Sequence, residues 1–199
     1  MEFDSRVFPV RPAWVEIDLA ALRRNLQLIR RDLPASVRLL AVVKDEAYGH
    51  GALDVARIAL EEGAAFLGVS TLEEAMTLRD AGVKAPLLLL GERQESELPW
   101  CVAYDLTVCV NEVTTVHKLA RVAAGFNKCV PVHVKINTGM GRYGVRWDEA
   151  QPLLELIAAE PSLHLEGLLT HYAQSDETDK TLLIKCLLLT VRCLQNSKW

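Results

Sequence analysis

Short, continuous apolar runs alternate with segments of helical periodicity along most of this chain of 199 residues. Continuous runs, unlike strictly alternating ones, are typical of parallel strands that are covered on both faces. Strand–helix alternation at this spacing predicts right-handed βαβ units and therefore an α/β fold. Six such strands are predicted, over residues 39–43, 66–69, 87–90, 106–110, 130–136 and 163–170.

Apolar residues that recur every three or four positions predict the helices. Asp18 is the expected cap of the first helix, Thr71 and Glu74 form a capping-box pattern, and Asn111 is the expected cap of a later helix. Residues 14–17 are predicted to form a short additional strand. Helices are predicted over residues 19–30, 52–62, 72–81, 112–124 and 148–159, with a turn or short helix over 97–104.

Charge and composition exclude several classes of function. The chain carries 22 Lys and Arg against 26 Asp and Glu, a net charge of −4, without the basic block typical of nucleic-acid binding. No apolar stretch reaches the roughly 18–20 residues that span a membrane, and the first residues lack a signal-peptide pattern. Five cysteines without a CxxC pair favour free thiols over a disulfide or zinc framework. We therefore predict a cytoplasmic protein without a nucleic-acid, membrane or metal partner.

Two architectures share this strand–helix rhythm, an open doubly wound sheet and a (β/α)8 barrel. A dinucleotide-binding sheet carries GxGxxG in its first strand–helix turn, and the segment after Val43 has no such motif. The residues suited to catalysis follow several different strands, as active-site residues of barrels do. The sequence therefore favours a barrel of the TIM type.

The first candidate cluster follows the first strand and begins with Lys44. An amine at the carboxyl end of a barrel strand is suited to act as a nucleophile or base, for example in Schiff-base formation with an aldehyde cofactor. Tyr48 adds a hydroxyl donor, and Gly49 and Gly51 allow a ligand to approach the backbone closely. The alternative is a lysine that extends from a strand end into solvent.

Two further clusters follow later strands. Arg142 lies in a glycine-rich segment after the fifth strand, and its planar guanidinium suits a carboxylate or a phosphate. His171 follows the sixth strand and is suited to stack on a planar ring or to transfer a proton. The alternatives are a plain turn with a surface arginine and a histidine with an ordinary hydrogen bond. Because the three clusters share one predicted face of the sheet, together they predict one site.

These clusters resemble the N-terminal part of the alanine racemase family over residues 11–180. The resemblance rests on the segments WVEID (14–18), VK (43–44), AYGHG (47–51), KINTGMGR (135–142) and TH (170–171). It implies a (β/α)8 barrel followed by a C-terminal β domain, and a homodimer with pyridoxal 5'-phosphate as its cofactor. The implied activity interconverts L-alanine and D-alanine and supplies D-alanine for the peptidoglycan of the cell wall.

The resemblance also implies roles for individual residues. Lys44 matches the lysine that covalently holds the cofactor and removes the α-proton of D-alanine, and Tyr48 matches a residue beside the cofactor phosphate. Arg142 matches a contact of the cofactor ring oxygen and the substrate carboxylate. Lys135 matches a lysine that is often carbamylated and orients this arginine. His171 matches a residue that lies against the pyridine ring.

The sequence departs from the family pattern beside these residues. Asp45 and Glu46 follow Lys44 where a small residue and then Asp or Asn are usual, and Asn137 stands where Asp is frequent. A carboxylate beside Lys44 is expected to stabilise its protonated form and so to disfavour it as a nucleophile.

The two ends of the chain are predicted to lie outside this barrel portion. Residues 1–10 are expected to be irregular, and residues 181–199 form a divergent apolar tail, either a final helix packed on the barrel or a truncated or out-of-frame segment. The expected fold is therefore an incomplete barrel of about six βα units. It lacks the last two strands, which leaves both edge strands unpaired, the C-terminal domain, and the tyrosine that serves as the second base.

Three functional interpretations follow. The chain is a racemase by lineage that is expected to be inactive alone, a non-enzymatic pyridoxal-phosphate-binding barrel, or an inert fragment. The segment 138–142 favours the racemase over the binding barrel. Racemases that accept serine, lysine or arginine share this N-terminal half, so alanine is only one of the substrates that the resemblance allows.

Overall fold

The structure, a computed structural model, describes the backbone of residues 13–196 and the side chains of residues 13–193. The N-terminal segment 1–10, predicted to be irregular, lies outside the described residues, as do the last three residues of the tail.

Six parallel strands form one sheet in the spatial order β1–β2–β3–β4–β5–β7. A two-residue strand, β6, which the sequence pattern does not indicate, pairs with the end of β5. The predicted α/β class and the six strand units are therefore confirmed. The strands are β1 (Leu39–Val42), β2 (Ala64–Val69), β3 (Leu87–Leu89), β4 (Thr107–Val110), β5 (Val130–Asn137), β6 (Val145–Arg146) and β7 (Leu163–Leu169).

The helices follow the predicted periodicity, and two of the expected caps are present. The Asp18 carboxylate accepts a hydrogen bond from the Ala21 N–H at 2.8 Å, and Thr71 and Glu74 form both bonds of the capping box. A 3₁₀ turn, Glu95–Glu97, precedes α5. The helical segments are α1 (Leu19–Asp32), α2 (Lys44–Gly49), α3 (Ala52–Glu61), α4 (Leu72–Asp80), α5 (Leu98–Ala103), α6 (Val113–Gly125), α7 (Gln151–Ala159) and α8 (Thr181–Asn196).

Three local predictions were wrong. Residues 14–17 form no strand, because no neighbouring strand pairs with them, and Trp14 and Val15 are exposed. Asn111 does not cap α6, whose cap position is Glu112; the Asn111 side-chain oxygen is instead buried. Helix α7 begins at Gln151 rather than near residue 148, because residues 147–149 form a turn in which the Glu149 N–H donates to the Arg146 carbonyl oxygen at 3.0 Å.

Strand β4 shows why strands of this sheet read as continuous apolar runs: its four residues are all buried, so both of its faces are covered. Strand β5 alternates instead, because Val130, Val132, Val134 and Ile136 share one face and are buried in the main hydrophobic core. On the opposite face of β5, Lys135 is also buried, with 4% of its surface exposed, and lines a cleft.

The edges of the sheet and the tail complete the fold. Among the described residues, β1 pairs only with β2 and β7 only with β5, so each keeps one unpaired edge, as predicted. The tail forms α8, whose buried Cys186 donates its thiol hydrogen to the Thr138 carbonyl oxygen at 3.2 Å. No helix between residues 13 and 196 combines the length and the apolar character that a membrane span requires.

Candidate active site

Lys44 comes two residues after the end of the first strand and begins the short segment α2, which is a left-handed turn. Its residues Asp45, Glu46, Ala47 and Tyr48 have φ values of 53°, 54°, 50° and 57°. A left-handed conformation costs a residue with a Cβ roughly 1–2 kcal/mol, so four in succession require support from the surrounding structure. The sequence predicted a glycine-containing loop here and gave no signal for this handedness.

One cleft of about 570 Å³ brings the candidate residues together. Side chains that follow β1, β2, β3, β5 and β7 line this cleft. A cleft of this volume is large enough for a small-molecule ligand. All five residues singled out in the sequence line it, namely Lys44, Tyr48, Lys135, Arg142 and His171.

Lys44 is one-third exposed and contacts its own neighbours in the turn. Its Nζ lies 3.3 Å from Asp45 Oδ2 and 5.8 Å from the centre of the Tyr48 ring. Glu46 turns away from the lysine, because its Oε2 accepts a hydrogen bond from the Ala52 N–H at 3.2 Å at the start of α3. Of the two unusual carboxylates, only Asp45 therefore pairs with the Lys44 amine.

Lys135 and Arg142 both contact an aromatic ring, that of Tyr143, which sequence reasoning missed. The Lys135 Nζ lies 5.1 Å from the centre of the Tyr143 ring, and the Arg142 Cζ lies 5.7 Å from the same point. The Tyr143 hydroxyl donates to the Leu90 carbonyl oxygen. Burial lowers the pKa of Lys135, and the nearby Arg142 charge acts in the same direction. The only available sequence signal for Tyr143 was its place beside Arg142.

The glycine-rich segment after β5 is shaped by Asn137. Its side-chain Oδ1 accepts hydrogen bonds from the Gly139 and Gly141 N–H groups, each at 3.1 Å. An amide oxygen and a carboxylate oxygen accept such bonds equally well in geometry. The Asn at this family position, noted as a departure in the sequence, therefore keeps the local turn.

His171 lies at the cleft after β7, beside three cationic side chains. Burial and the charges of Lys135, Arg142 and Lys44 all lower the pKa of His171. Its imidazole is consequently biased toward the neutral form at neutral pH. Preceding it, the Thr170 hydroxyl donates to the Ile136 carbonyl oxygen at 3.0 Å, which fixes the end of β7 to β5.

Arg93 is a second residue of the cleft that the sequence did not indicate. Its Nε donates to the Gly91 carbonyl oxygen at 3.0 Å, and its side chain forms an ion pair with Glu97 at 3.3 Å. With Lys44, Lys135 and Arg142, it gives the cleft four cationic side chains. Such a concentration of positive charge suits a ligand with phosphate or carboxylate groups.

Fold and site together define a class of protein, a parallel α/β barrel protein with a cationic, lysine-bearing ligand site at the carboxyl ends of its strands. Comparison with known proteins makes the class specific. Residues 17–188 match the family model described as alanine racemase, N-terminal domain. The chain belongs to the alanine racemase family.

Curated relatives agree with this assignment. The alanine racemase of Halothermothrix orenii is 40% identical over 171 residues, which cover 86% of this chain and 45% of that protein. The alanine racemase of Desulforamulus reducens is 43% identical over 172 residues, which cover 85% of this chain and 46% of that protein. The chain thus spans a little less than half the length of these relatives.

Solved structures place the fold in the same family. An alanine racemase from Clostridium difficile 630 superposes with a TM-score of 0.89 at 31% identity, over 94% of this chain and 50% of that one. The Bacillus anthracis alanine racemase with bound L-Ala-P gives a TM-score of 0.85 at 35% identity, over 93% and 48%. The six-stranded sheet therefore corresponds to part of the barrel of these proteins, and the predicted incomplete barrel is confirmed.

Proposed function

We propose that this chain binds pyridoxal 5'-phosphate through Lys44 and forms the cofactor-anchoring part of an alanine racemase. One observation carries the proposal: Lys135 within β5 and four residues that follow β1, β5 and β7, namely Lys44, Tyr48, Arg142 and His171, line one cleft. Family membership supports the same assignment, since residues 17–188 match the alanine racemase model.

The residues present fit the cofactor. Lys44 supplies an amine at the cleft, the exposed Tyr48 supplies a hydroxyl for a phosphate, and the cationic side chains balance negative charge. When bound, pyridoxal phosphate would supply an aldehyde with which an amine can condense, with release of water, and a ring that withdraws electrons from the α-carbon of an amino acid.

Each side chain has a separable task in this proposal. Lys44 accepts or returns the α-proton on one face of the substrate, and the Asp45 carboxylate lies 3.3 Å from its Nζ. Arg142 binds the substrate carboxylate as a charge-matched donor. His171 covers the ring as a neutral imidazole, consistent with its lowered pKa.

Lys135 is proposed to orient Arg142 as a carbamate. Carbamylation joins the unprotonated amine to carbon dioxide and releases a proton, so it requires a neutral lysine. Burial lowers the pKa of Lys135, which raises the population of that neutral amine. The resulting negative charge would lie near Arg142, since both side chains contact the Tyr143 ring.

Alanine as substrate, a supply of D-alanine for peptidoglycan, a cytoplasmic location and a homodimeric assembly are proposed on family membership. The relatives that support them are named alanine racemases. The free thiols of Cys101, Cys109, Cys129 and Cys186 are consistent with a reducing compartment.

Titration with pyridoxal phosphate, followed by borohydride reduction and peptide mass spectrometry, tests the proposal. We expect a visible absorbance band on titration and a single pyridoxyl group on the peptide that contains Lys44. A label spread over exposed lysines such as Lys84 and Lys180, with no preference for Lys44, would contradict the proposal.

The chain alone is expected not to racemise alanine, even with the cofactor bound. Racemisation needs a proton donor on the face opposite Lys44, and no residue of this sequence has been assigned that role. The measurement is D-alanine formation by the purified, cofactor-loaded chain, with a full-length relative as the positive control. Turnover within about tenfold of that control would contradict the expectation.

A further inference from the structure

We propose that Glu74 is a positioning residue that holds the left-handed turn α2, and with it Lys44 and Tyr48, in the geometry that the cofactor requires. The inference rests on the proposed function for the role of Lys44. Its structural basis is one carboxylate that joins two loops: Glu74 Oε1 accepts the Asp45 N–H at 2.7 Å, and Oε2 accepts the Ser70 N–H at 2.7 Å.

The capping box does not account for both oxygens of Glu74. The box needs the Thr71 hydroxyl to accept the Glu74 N–H, at 3.2 Å, and Glu74 Oε2 to accept the Thr71 N–H, at 3.1 Å. Oε1 takes no part in it and is directed to Asp45, 29 residues earlier in the chain. Glu74, which the sequence explains as part of a helix cap, therefore also makes a tertiary contact with Asp45.

The turn needs such a contact because its own hydrogen bonds hold only its later part. The Ala47 N–H donates to the Val43 carbonyl oxygen at 3.0 Å, and the Gly51 N–H donates to the Glu46 carbonyl oxygen at 2.9 Å. The N–H of Asp45 precedes the first of these bonds and requires an external acceptor, as do all first N–H groups of a helical turn. A carboxylate acceptor gives a stronger bond than a neutral one.

Both loops that Glu74 joins reach the cleft. Lys44 and Tyr48 belong to the first loop and Ser70 to the second, and all three line the cleft. Asp45 is also the residue whose carboxylate lies 3.3 Å from the Lys44 amine. Releasing the Asp45 N–H would therefore free a strained segment and move both the lysine and its partner.

Two matched variants separate this role from helix capping. Thr71→Ala and Glu74→Ala each remove half of the capping box, but only Glu74→Ala also removes the bonds to Asp45 and Ser70 that join the two loops. We expect Glu74→Ala to raise the Kd for pyridoxal phosphate roughly tenfold and to weaken the visible band, because the carboxylate that holds the turn is lost. Thr71→Ala is expected to stay within about twofold of the unchanged chain. Glu74→Gln, which keeps one acceptor oxygen, should lie between them.

Hydrogen–deuterium exchange supplies a readout that needs no cofactor. Amides of residues 43–51 are expected to exchange faster in Glu74→Ala and at the unchanged rate in Thr71→Ala, with circular dichroism reporting that both variants fold. Equal exchange over 43–51 and equal cofactor affinity in the two variants would overturn the inference. If the unchanged chain binds no cofactor, the proposed function fails, and the exchange comparison alone then supports or overturns the role of Glu74 in holding the turn.

Discussion

Replacing Lys44 by alanine is expected to abolish covalent attachment of pyridoxal phosphate and the visible absorbance that accompanies it. The reason is chemical, because the Lys44 amine is the nucleophile at the cleft surface, one-third exposed and reachable by a ligand, whereas Lys135 is buried. Lys44→Arg keeps the positive charge without an amine that condenses with an aldehyde, so it should bind the cofactor weakly and leave no label after reduction.

The matched control for Lys44 is Lys128→Ala. Lys128 pairs with Asp105 at 2.7 Å and donates to the Val102 carbonyl oxygen at 3.0 Å, and it is absent from the lining of the cleft. Its loss should leave cofactor attachment unchanged. A pyridoxyl label that persists in Lys44→Ala, for example on Lys135, would show that the assignment of the nucleophile is wrong.

Replacing Gly144 by valine is expected to destabilise the fold by about 3 kcal/mol and to distort the site. Gly144 has a φ of 115°, a conformation that side chains with a Cβ rarely adopt. A Cβ built there lies 2.8 Å from Lys135 Cγ and 2.9 Å from the Lys135 carbonyl oxygen. The backbone contact cannot yield by a rotamer change, so β5 itself would have to shift.

Urea unfolding followed by circular dichroism measures the effect of Gly144→Val. Gly125→Ala is the control, because no atom lies within 4 Å of a Cβ added at this last residue of α6. It should change the free energy of unfolding by less than about 1 kcal/mol. Equal stability of the two variants would mean that the close approach of Gly144 to Lys135 is not maintained in solution.

The ion pair between Lys44 and Asp45 shows what the structure adds where the sequence departs from the family pattern. Two carboxylates follow the lysine in the sequence, and the sequence could not show which of them contacts the amine. The direction of each side chain depends on the handedness of the backbone. In the left-handed turn, Asp45 contacts the amine and Glu46 caps α3. In a right-handed or extended segment, the side chains of the same two residues would point in other directions.

Most strands and helices could be predicted from the sequence because their signals are local. Continuous apolar runs mark the six strands, and capping residues such as Asp18 and Thr71 bond to atoms only three residues away. The predictions failed where the structure of a segment depends on residues that are distant in the sequence. Residues 14–17 have strand-like composition and no strand to pair with, and the Asn111 side-chain oxygen is buried instead of capping α6.

The sequence by itself determined the class of fold and brought Lys44, Tyr48, Arg142 and His171 to one cleft, because these residues come after the ends of strand-forming runs, whereas Lys135 was indicated only by the family resemblance. Parallel strands bring such ends to one edge whatever the details of packing. Only the tertiary structure decided the left-handed turn after Lys44, the second bond of Glu74 to Asp45, and the contact of the Tyr143 ring with both Lys135 and Arg142. The physical reason is that contacts between residues far apart in the chain hold both features. The left-handed turn costs free energy locally, and the Tyr143 ring is fixed by the bond from its hydroxyl to Leu90.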